Sequence, residues 1–523
     1  MATTEVKDYT GKQWDTIHKN GPFNLKRLYV TELSSDNTLS KIERYNDAAT
    51  EIQKLIKEVA DKNEGFRAYG ARWSMNSIAH QKDNMHFNQF MNISYKISDQ
   101  EVHENSIYKT SDLFFFQCGN TIKEISEHLD RYGKSIKASG ASNGQTIAGC
   151  ISTGVHGSGL DVGSVQDYVV GLNIITGSKP EDNVYIERAS KPTLVDTFAN
   201  QLNAKIIRDD DVFNAALVSL GSFGFIHGVV IEAEDHFLLR RYIRKVPKEQ
   251  ALALADTMNF KDGPVMIKEE IDENGKPLRP YHYKIFINQY SKETEYVVEF
   301  MYKKKFFPDY GNPFPVIKES LYRDLIWVFV KIAEKLPKAI PKLVKALEKT
   351  VLPVKDIEKV VTGKLHEIFW DAEYKGPAFA ISFGVDHKDS SKVMELLGRL
   401  TVDNGPIPGI FAMRFVKQTK ATLGFTKFPV TCMIEIDGVI WRETKKIISL
   451  KDYAKLMMEA LQANNIAYTI HWGKNAYWEL PGLLAYMFDA DSITRWKDIR
   501  NQLLSKEMRK VFSNQFIQTL GIQ

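Results

Sequence analysis

The sequence predicts an α+β fold: a two-part, glycine-punctuated module in the first half, then a cap built on an antiparallel sheet flanked by helices. Three observations predict it. Between residues 47 and 230, stretches with apolar residues at helical spacing alternate with β-branched runs, and the joints are rich in glycine. Beyond about residue 240 the glycine density drops, and Tyr283–Asn288 and Tyr296–Tyr302 alternate as antiparallel strands do. At 523 residues the chain exceeds what one hydrophobic core usually serves. The composition sets off a polar lead-in (1–24) and ends the glycine-rich module (25–240) near residue 240; a cap (241–480) and a C-terminal segment (481–523) complete the expected organisation.

Bulk properties exclude several classes. Hydrophobic content of 43% with 26% charged residues is ordinary for a soluble globular protein. A net charge of +4 gives no case for nucleic acid as a partner. Cys118, Cys150 and Cys432 cannot form a disulfide framework and lack metal-site spacing, so no metal is expected. The N-terminus shows no apolar signal region, and no run reaches the ~18 apolar residues of a membrane span. The expectation is a cytoplasmic protein in a reducing compartment.

Taken in order, residues 1–24 are polar apart from Trp14 and read as a loosely packed lead-in. Asn24–Thr31 has strand character, and Asp47–Asp61 places Ile52, Leu55, Ile56 and Val59 on one helical face. Gly65–Ser74 is a short strand entering a glycine turn, followed by His80 and His86, which read as solvated loop residues. Phe114–Gly133 is strand, turn and helix, with Thr121 and Glu124 spaced as a capping box. Then comes Ser139–Gly159, with glycine at 140, 144, 149, 154, 157 and 159. Glycine is entropically poor in regular elements, so this density points to close backbone approach or repeated positive φ. Successive N–H groups in such a segment hold anionic oxygen. It is neither a P-loop nor a Rossmann fingerprint. The interleaved Ile147, Ala148, Ile151 and Val155 argue against a flexible linker. Tyr168–Thr176 follows as a buried strand, and Phe213–Val230 is glycine-punctuated again, with His227 read as a turn residue.

The cap opens on the basic run Arg240–Lys245. Two amphipathic stretches follow, residues 320–336 and Lys338–Lys349, the second aligning Lys338, Lys342, Lys345 and Lys349. Two readings stand: a helix pair with its apolar side on the cap core, or peripheral membrane contact through residues 320–352.

Thr146–Gly159 resembles, almost position by position, the flavin-contacting motif of the vanillyl-alcohol oxidase/p-cresol methylhydroxylase (PCMH-type) superfamily. The nearest relatives by this resemblance are aldonolactone oxidases, alditol oxidase and the covalent-flavin cholesterol oxidases. It implies a PCMH-type module of two subdomains over 25–240 that binds FAD, and it sets off the C-terminal segment 481–523 as one packing back on that module. Tyr69, Gly70, Ala71, Arg72, Trp73 and Ser74 would form the first pyrophosphate loop. Gly119, Ser139, Gly140, Ala141, Ser142, Gln145, Thr146, Gly149, Cys150, Ser152, Thr153, His156 and Gly157 would line the cofactor, joined by Gly224, Val229 and Lys474. Ile410–Phe415 resembles the family's E-x-R strand, and Ile470–Lys474 its H-W-G/A-K strand, which implies Arg414, Lys474, His471 and Glu435 as catalytic candidates. Arg414 would act as a fixed cation, while Lys474 or His471 would take a proton. In a strand, His471 and Lys474 would face opposite ways.

Two departures matter. Trp73 fills the slot of the histidine that bonds the flavin in covalent members, and indole cannot form that bond, so non-covalent FAD is expected. Ala412 replaces the family's glutamate two residues before the arginine, and Glu435 is the candidate substitute from a neighbouring strand. The implied activity is hydride transfer from a CH–OH donor to flavin N5, with O2 or another acceptor reoxidising the cofactor. A sugar lactone or polyol competes with a hydrophobic alcohol such as a sterol; Ala412 and the apolar helix pair tilt away from small polyols. The alternatives are a catalytically degenerate flavin-binding module and an NADPH-dependent reductase on the same cofactor fold.

Overall fold

The structure is a computed structural model that describes residues 1–140, 143–261, 265, 267–311, 334–351, 357–368, 376–441 and 447–523, without the side chains of 347 and 349–351. The first sheet holds β1 (Thr3–Asp8), β2 (Arg27–Glu32), β3 (Phe66–Tyr69) and β4 (Asn84–Phe87) in the order β1-β2-β4-β3. β1 is antiparallel to β2, and the other pairings are parallel. The lead-in is therefore sheet, not loose chain, and Trp14 is buried against Tyr69. Parallel pairing requires a crossover, supplied by helix α1 (Lys41–Asp61). The helix starts earlier than its apolar face predicts, because Ser40 and Glu43 form a reciprocal capping box.

The second sheet holds β5 (Ser94–Lys96), β6 (Leu113–Gln117), β7 (Val169–Ile175), β8 (Asn183–Glu187), β9 (Lys205–Arg208) and β10 (Phe225–Glu232). Its order is β9-β8-β7-β10-β6-β5. β7 is buried along its whole length, as its unbroken apolar run requires. Helix α2 (Ile122–Asp130) carries the predicted Thr121–Glu124 capping box. α1 ties the two sheets together: the Tyr45 hydroxyl lies 2.5 Å from Asn173 Oδ1, and the Tyr45 carbonyl lies 3.0 Å from His227 Nε2. His227 is thus a buried strand residue, not a turn residue. His86 is likewise buried on β4 with Nε2 2.8 Å from the Thr31 hydroxyl, and His80 stacks on Phe23, so neither is a solvated loop histidine.

The cap is an eight-stranded sheet in the order β14-β11-β13-β12-β16-β17-β15-β18. Its strands are β11 (Phe237–Pro247), β12 (His282–Ile287), β13 (Glu295–Lys305), β14 (Val360–Gly363), β15 (Phe379–Asp386), β16 (Gly409–Lys417), β17 (Val430–Gly438) and β18 (Thr469–Ile470). All its pairings are antiparallel. The helices Ser390–Asn404 and Leu450–Ala463 bury apolar sides that include Val393, Leu397, Met457 and Leu461. Of the predicted helix pair, residues 320–333 lie outside the described residues. The second member is the helix Ile340–Val351, with Ile340 and Val344 buried, Lys342 and Lys345 exposed, and Glu348 bonded to Asn288. Among the described residues no helix is long and apolar enough to cross a membrane.

The C-terminal segment closes the molecule. Ser513 and Phe512 offer carbonyls to Gln81 (2.7 Å) and Arg67 (3.2 Å), and the Asn514 amide reaches the carbonyls of Ile78 and His80.

A charged sheet face opposite the glycine segments

Three glycine-bearing segments meet directly. A Cβ at Gly70 would fall inside the side chain of Thr146, one at Gly157 would lie 2.7 Å from the Ser139 carbonyl, and one at Gly144 would touch the Trp73 ring at 3.1 Å. These glycines are required by chain packing on chain, a need that the glycine pattern alone does not separate from close approach to a ligand. Helix α3 (Ile147–Thr153) ends on Gly154 at φ +68°, which turns the chain back to present His156 and Gly157. The α3 residue Gly149 keeps an accessible face.

The cap contributes a row of ionisable groups on one sheet face. Directly opposite residues in antiparallel strands share a face. The register sets Glu299 opposite Lys284, Lys284 opposite Arg414, and Ala412 opposite Glu435. Glu435 is buried and grips Arg414 through both oxygens, one of them 2.6 Å from Nε. It is not a solvent-facing strand residue. Arg414 and then the His156 ring hold its carboxyl far below the usual range against the opposing effect of burial. Arg414 stays charged, because the Glu435 carboxylate outweighs the cost of burial. Its Nη1 is buried without a partner in the protein among the described residues.

Two histidines stand against this pair. His156 Nε2 lies 3.8 Å from Glu435 Oε1, and Nδ1 lies 2.9 Å from the Gly157 carbonyl. That contact assigns the proton to Nδ1 and leaves Nε2 as an acceptor. Burial, with Arg414 adding to it, pushes its pKa down to about 3. His471 is the reverse: its Nδ1 accepts the Gly473 N–H at 3.0 Å, so Nε2 carries the proton. It stacks on Phe425 at 4.6 Å, its ring centre lies 5.5 Å from that of His156, and burial holds it well below the ordinary histidine range.

Asp437 follows Glu435 on the same face and keeps accessible surface, yet the protein around it pushes its carboxyl up, helped by the Glu435 charge. Lys284 is half-buried, and burial followed by Arg414 pushes its amine down. Both side chains therefore keep accessible surface on the face that carries Arg414 and Glu435. Lys284, Asp437, Glu299 and His282 (bonded to Glu299 at 2.8 Å) were not singled out from sequence. A lone charge on an alternating strand reads as a solvent-facing residue until the register is known.

Several expectations change. His471–Lys474 is not a strand: β18 ends at Ile470, and 471–474 form a turn, so strand alternation does not separate His471 from Lys474. The turn is held by Met75 N to the Gly473 carbonyl (2.8 Å) and by the Asn76 amide to the carbonyls of Trp472 and Lys474 (both 2.8 Å). Asn475 reaches Asn20 (2.8 Å) and the Met75 carbonyl (2.7 Å), so the lead-in helps to build this end of the site. Cys150 and Val229 have fully buried side chains in α3 and β10, and Tyr69 turns its ring to Trp14. Gly119 is packed against the Asn88 carbonyl. Arg241 of the basic run turns inward, 3.9 Å from Glu299. Trp73 is half-buried, edge-on to His18 at 5.2 Å. Gly140 is buried, Gly224 adopts φ +125°, and Thr153 bonds back to the Gly149 carbonyl within α3. Ala71, Ser74 and Ser152 are half-buried and Arg72 is exposed. Ala141 and Ser142 lie outside the described residues.

These residues fit a flavin dinucleotide. Among the described residues Gln145 Oε1 and Arg414 Nη1 are buried polar atoms without a partner, and the fixed charge of Arg414 suits a cofactor whose reduced form is anionic. Among the described residues no cluster suits a metal ion.

Residues 46–179 match the FAD binding domain family. A putative D-arabinono-1,4-lactone oxidase of Neurospora crassa is 26% identical over 226 residues, 42% of this chain and 34% of that protein. L-gulonolactone oxidase 3 of Arabidopsis thaliana is 33% identical over 121 residues, 23% of this chain and 18% of that protein. The chain thus spans about a third or less of the length of these curated relatives. The crystal structure of cholesterol oxidase from B. sterolicum superposes with a TM-score of 0.69, covering 99% of this chain and 97% of that one at 12% identity. The resemblance to the PCMH-type superfamily and the α+β fold read from sequence are borne out.

Proposed function

We propose that the chain is an FAD-dependent oxidoreductase acting on the CH–OH group of a polar, polyhydroxylated donor, with FAD held without a covalent bond. The carrying observation is Arg414, fixed by Glu435 across a sheet face opposite the glycine segments, with one guanidinium nitrogen left for a ligand. FAD, when bound, supplies the two-electron acceptor at N5 and passes the electrons on to O2 or another acceptor. The chain's residues do the rest. Arg414 stabilises negative charge with no reorganisation, an effect commonly near 3 kcal/mol. His471 Nε2 carries its proton and can donate to a hydroxylated ligand.

The ionisable face supports a polar donor over a sterol and reverses the leaning that Ala412 and the helix pair gave. An apolar ring system would desolvate Asp437 and Lys284 with nothing in return, whereas hydroxyls pair with both. The names of the lactone-oxidising relatives point the same way. Trp73 supports the non-covalent link, since indole offers no nucleophile to the flavin. The test is anaerobic mixing of the FAD-loaded protein with polyols, sugar lactones and sterols. Bleaching of the yellow band by polyhydroxylated donors is expected, and bleaching by sterols alone would overturn the donor class.

A further inference from the structure

Lys284 occupies the middle of the charged row. It sits in register with Glu299 on β13 and with Arg414 on β16. The groups that share this row are His282 on its own strand, Glu299 on β13, Arg241 on β11, Arg414 on β16, and Glu435 and Asp437 on β17. The two nearest carboxylates are already engaged, Glu299 by His282 at 2.8 Å and Glu435 by Arg414. Among the described residues the Lys284 ammonium has no ion pair, and it lies over the face of Phe286, 4.4 Å from the ring centre. Lys284 is half-buried, so part of it remains accessible.

We propose that Lys284 is a catalytic residue of this site, whose uncharged amine receives the donor's hydroxyl proton during oxidation. The inference rests on the oxidoreductase reading. In that step the donor's O–H bond breaks and an N–H bond forms on Nζ. The C–H hydrogen and its electron pair would go to FAD, which supplies the two-electron acceptor when bound, as the carbonyl forms. Lysine suits this place because burial, then the adjacent Arg414 guanidinium, disfavour its charged form by more than the Glu299, Glu435 and Asp437 carboxylates favour it. Arg414 cannot take the proton, Glu435 is committed to Arg414, and the acceptor nitrogen of His156 faces Glu435.

The test uses the FAD-loaded full chain with Lys284→Met and Lys284→Arg. The apolar variant leaves no buried carboxylate without its partner, so both should fold and keep the yellow cofactor. Flavin reduction by a donor that bleaches the wild type should fall by roughly 10²–10⁴-fold in Lys284→Met, and Lys284→Arg should not restore it. The wild-type rate should rise with pH through the amine's titration, and this limb should vanish in both variants. Independently, in protein carrying [ε-13C]lysine, the resonance missing from Lys284→Met should titrate below the ordinary lysine value of about 10.4. A resonance titrating at or above that value would overturn the proposal, as would a variant reduced at the wild-type rate with the wild-type pH profile. If no donor bleaches the wild type, the oxidoreductase reading itself fails and takes this role with it.

Discussion

Glu435 stands directly across the sheet from Ala412 and binds the guanidinium of Arg414 through both oxygens. The carboxylate beside this arginine is thus delivered by the neighbouring strand. Opposite positions in such a pair have Cβ atoms only ~4.5–5.5 Å apart, so either strand can supply the group. Glu435→Ala should lower stability by about 3–5 kcal/mol, because it leaves a buried cation unpaired. Ala412→Glu in that background should restore much of the loss. Thermal melts of the two single variants and the double variant check this: equal melting of Glu435→Ala and the double variant would refute the equivalence.

Buried histidines set the acid limit. Burial holds His86 and His156 down to about 3 and His18 and His227 down to about 4, while His471 lies well below the ordinary value. The unfolded chain takes up these protons below about pH 6.5, which the folded chain does not. Folding stability should therefore fall as pH drops from about 6.5 towards 4. His227→Gln should flatten that slope; a melting temperature constant between pH 7 and 5 would contradict it.

The loop from Val218 to Ser222 is held by its carbonyls. Trp496 bonds Val218 at 3.2 Å, Arg67 bonds Leu220, and Arg500 bonds Ser222 at 3.0 Å. Leu220 and Gly221 both adopt positive φ, a conformation that such bonds must hold in place for a leucine. Arg500→Met should cost about 1–3 kcal/mol for the partner left unsatisfied and weaken FAD retention together with it. Urea denaturation and FAD titration on the same variant check both effects.

Lys474→Met should slow flavin reduction while leaving FAD bound, since the backbone bonds from Asn76 that hold the 471–474 turn do not involve the lysine side chain. Stopped-flow reduction with the cofactor content measured in parallel checks it. Acid precipitation should leave a colourless pellet and a yellow supernatant, as the proposed non-covalent link to FAD requires.

The fold was legible where one local signal suffices: β7 from its unbroken apolar run, α2 from Thr121 and Glu124, and the cap sheet from alternation in Tyr283–Asn288. The lead-in was not, because β1 is mostly exposed and polar and owes its existence to pairing with β2. Arg414 could be found from its strand motif. Lys284, Glu299 and Asp437 could not, since only the register across β13, β12, β16 and β17 brings them into one row. The turn at 471–474 was misread as strand because Asn20, Met75 and Asn76, hundreds of residues away, hold it.

The most direct measurement is equilibrium binding of FAD to the purified chain, followed by gel filtration and a visible spectrum. The account predicts that FAD migrates with the protein in near-equal molar amount, with a shifted and resolved yellow band. Protein that emerges colourless after incubation with excess FAD would contradict it.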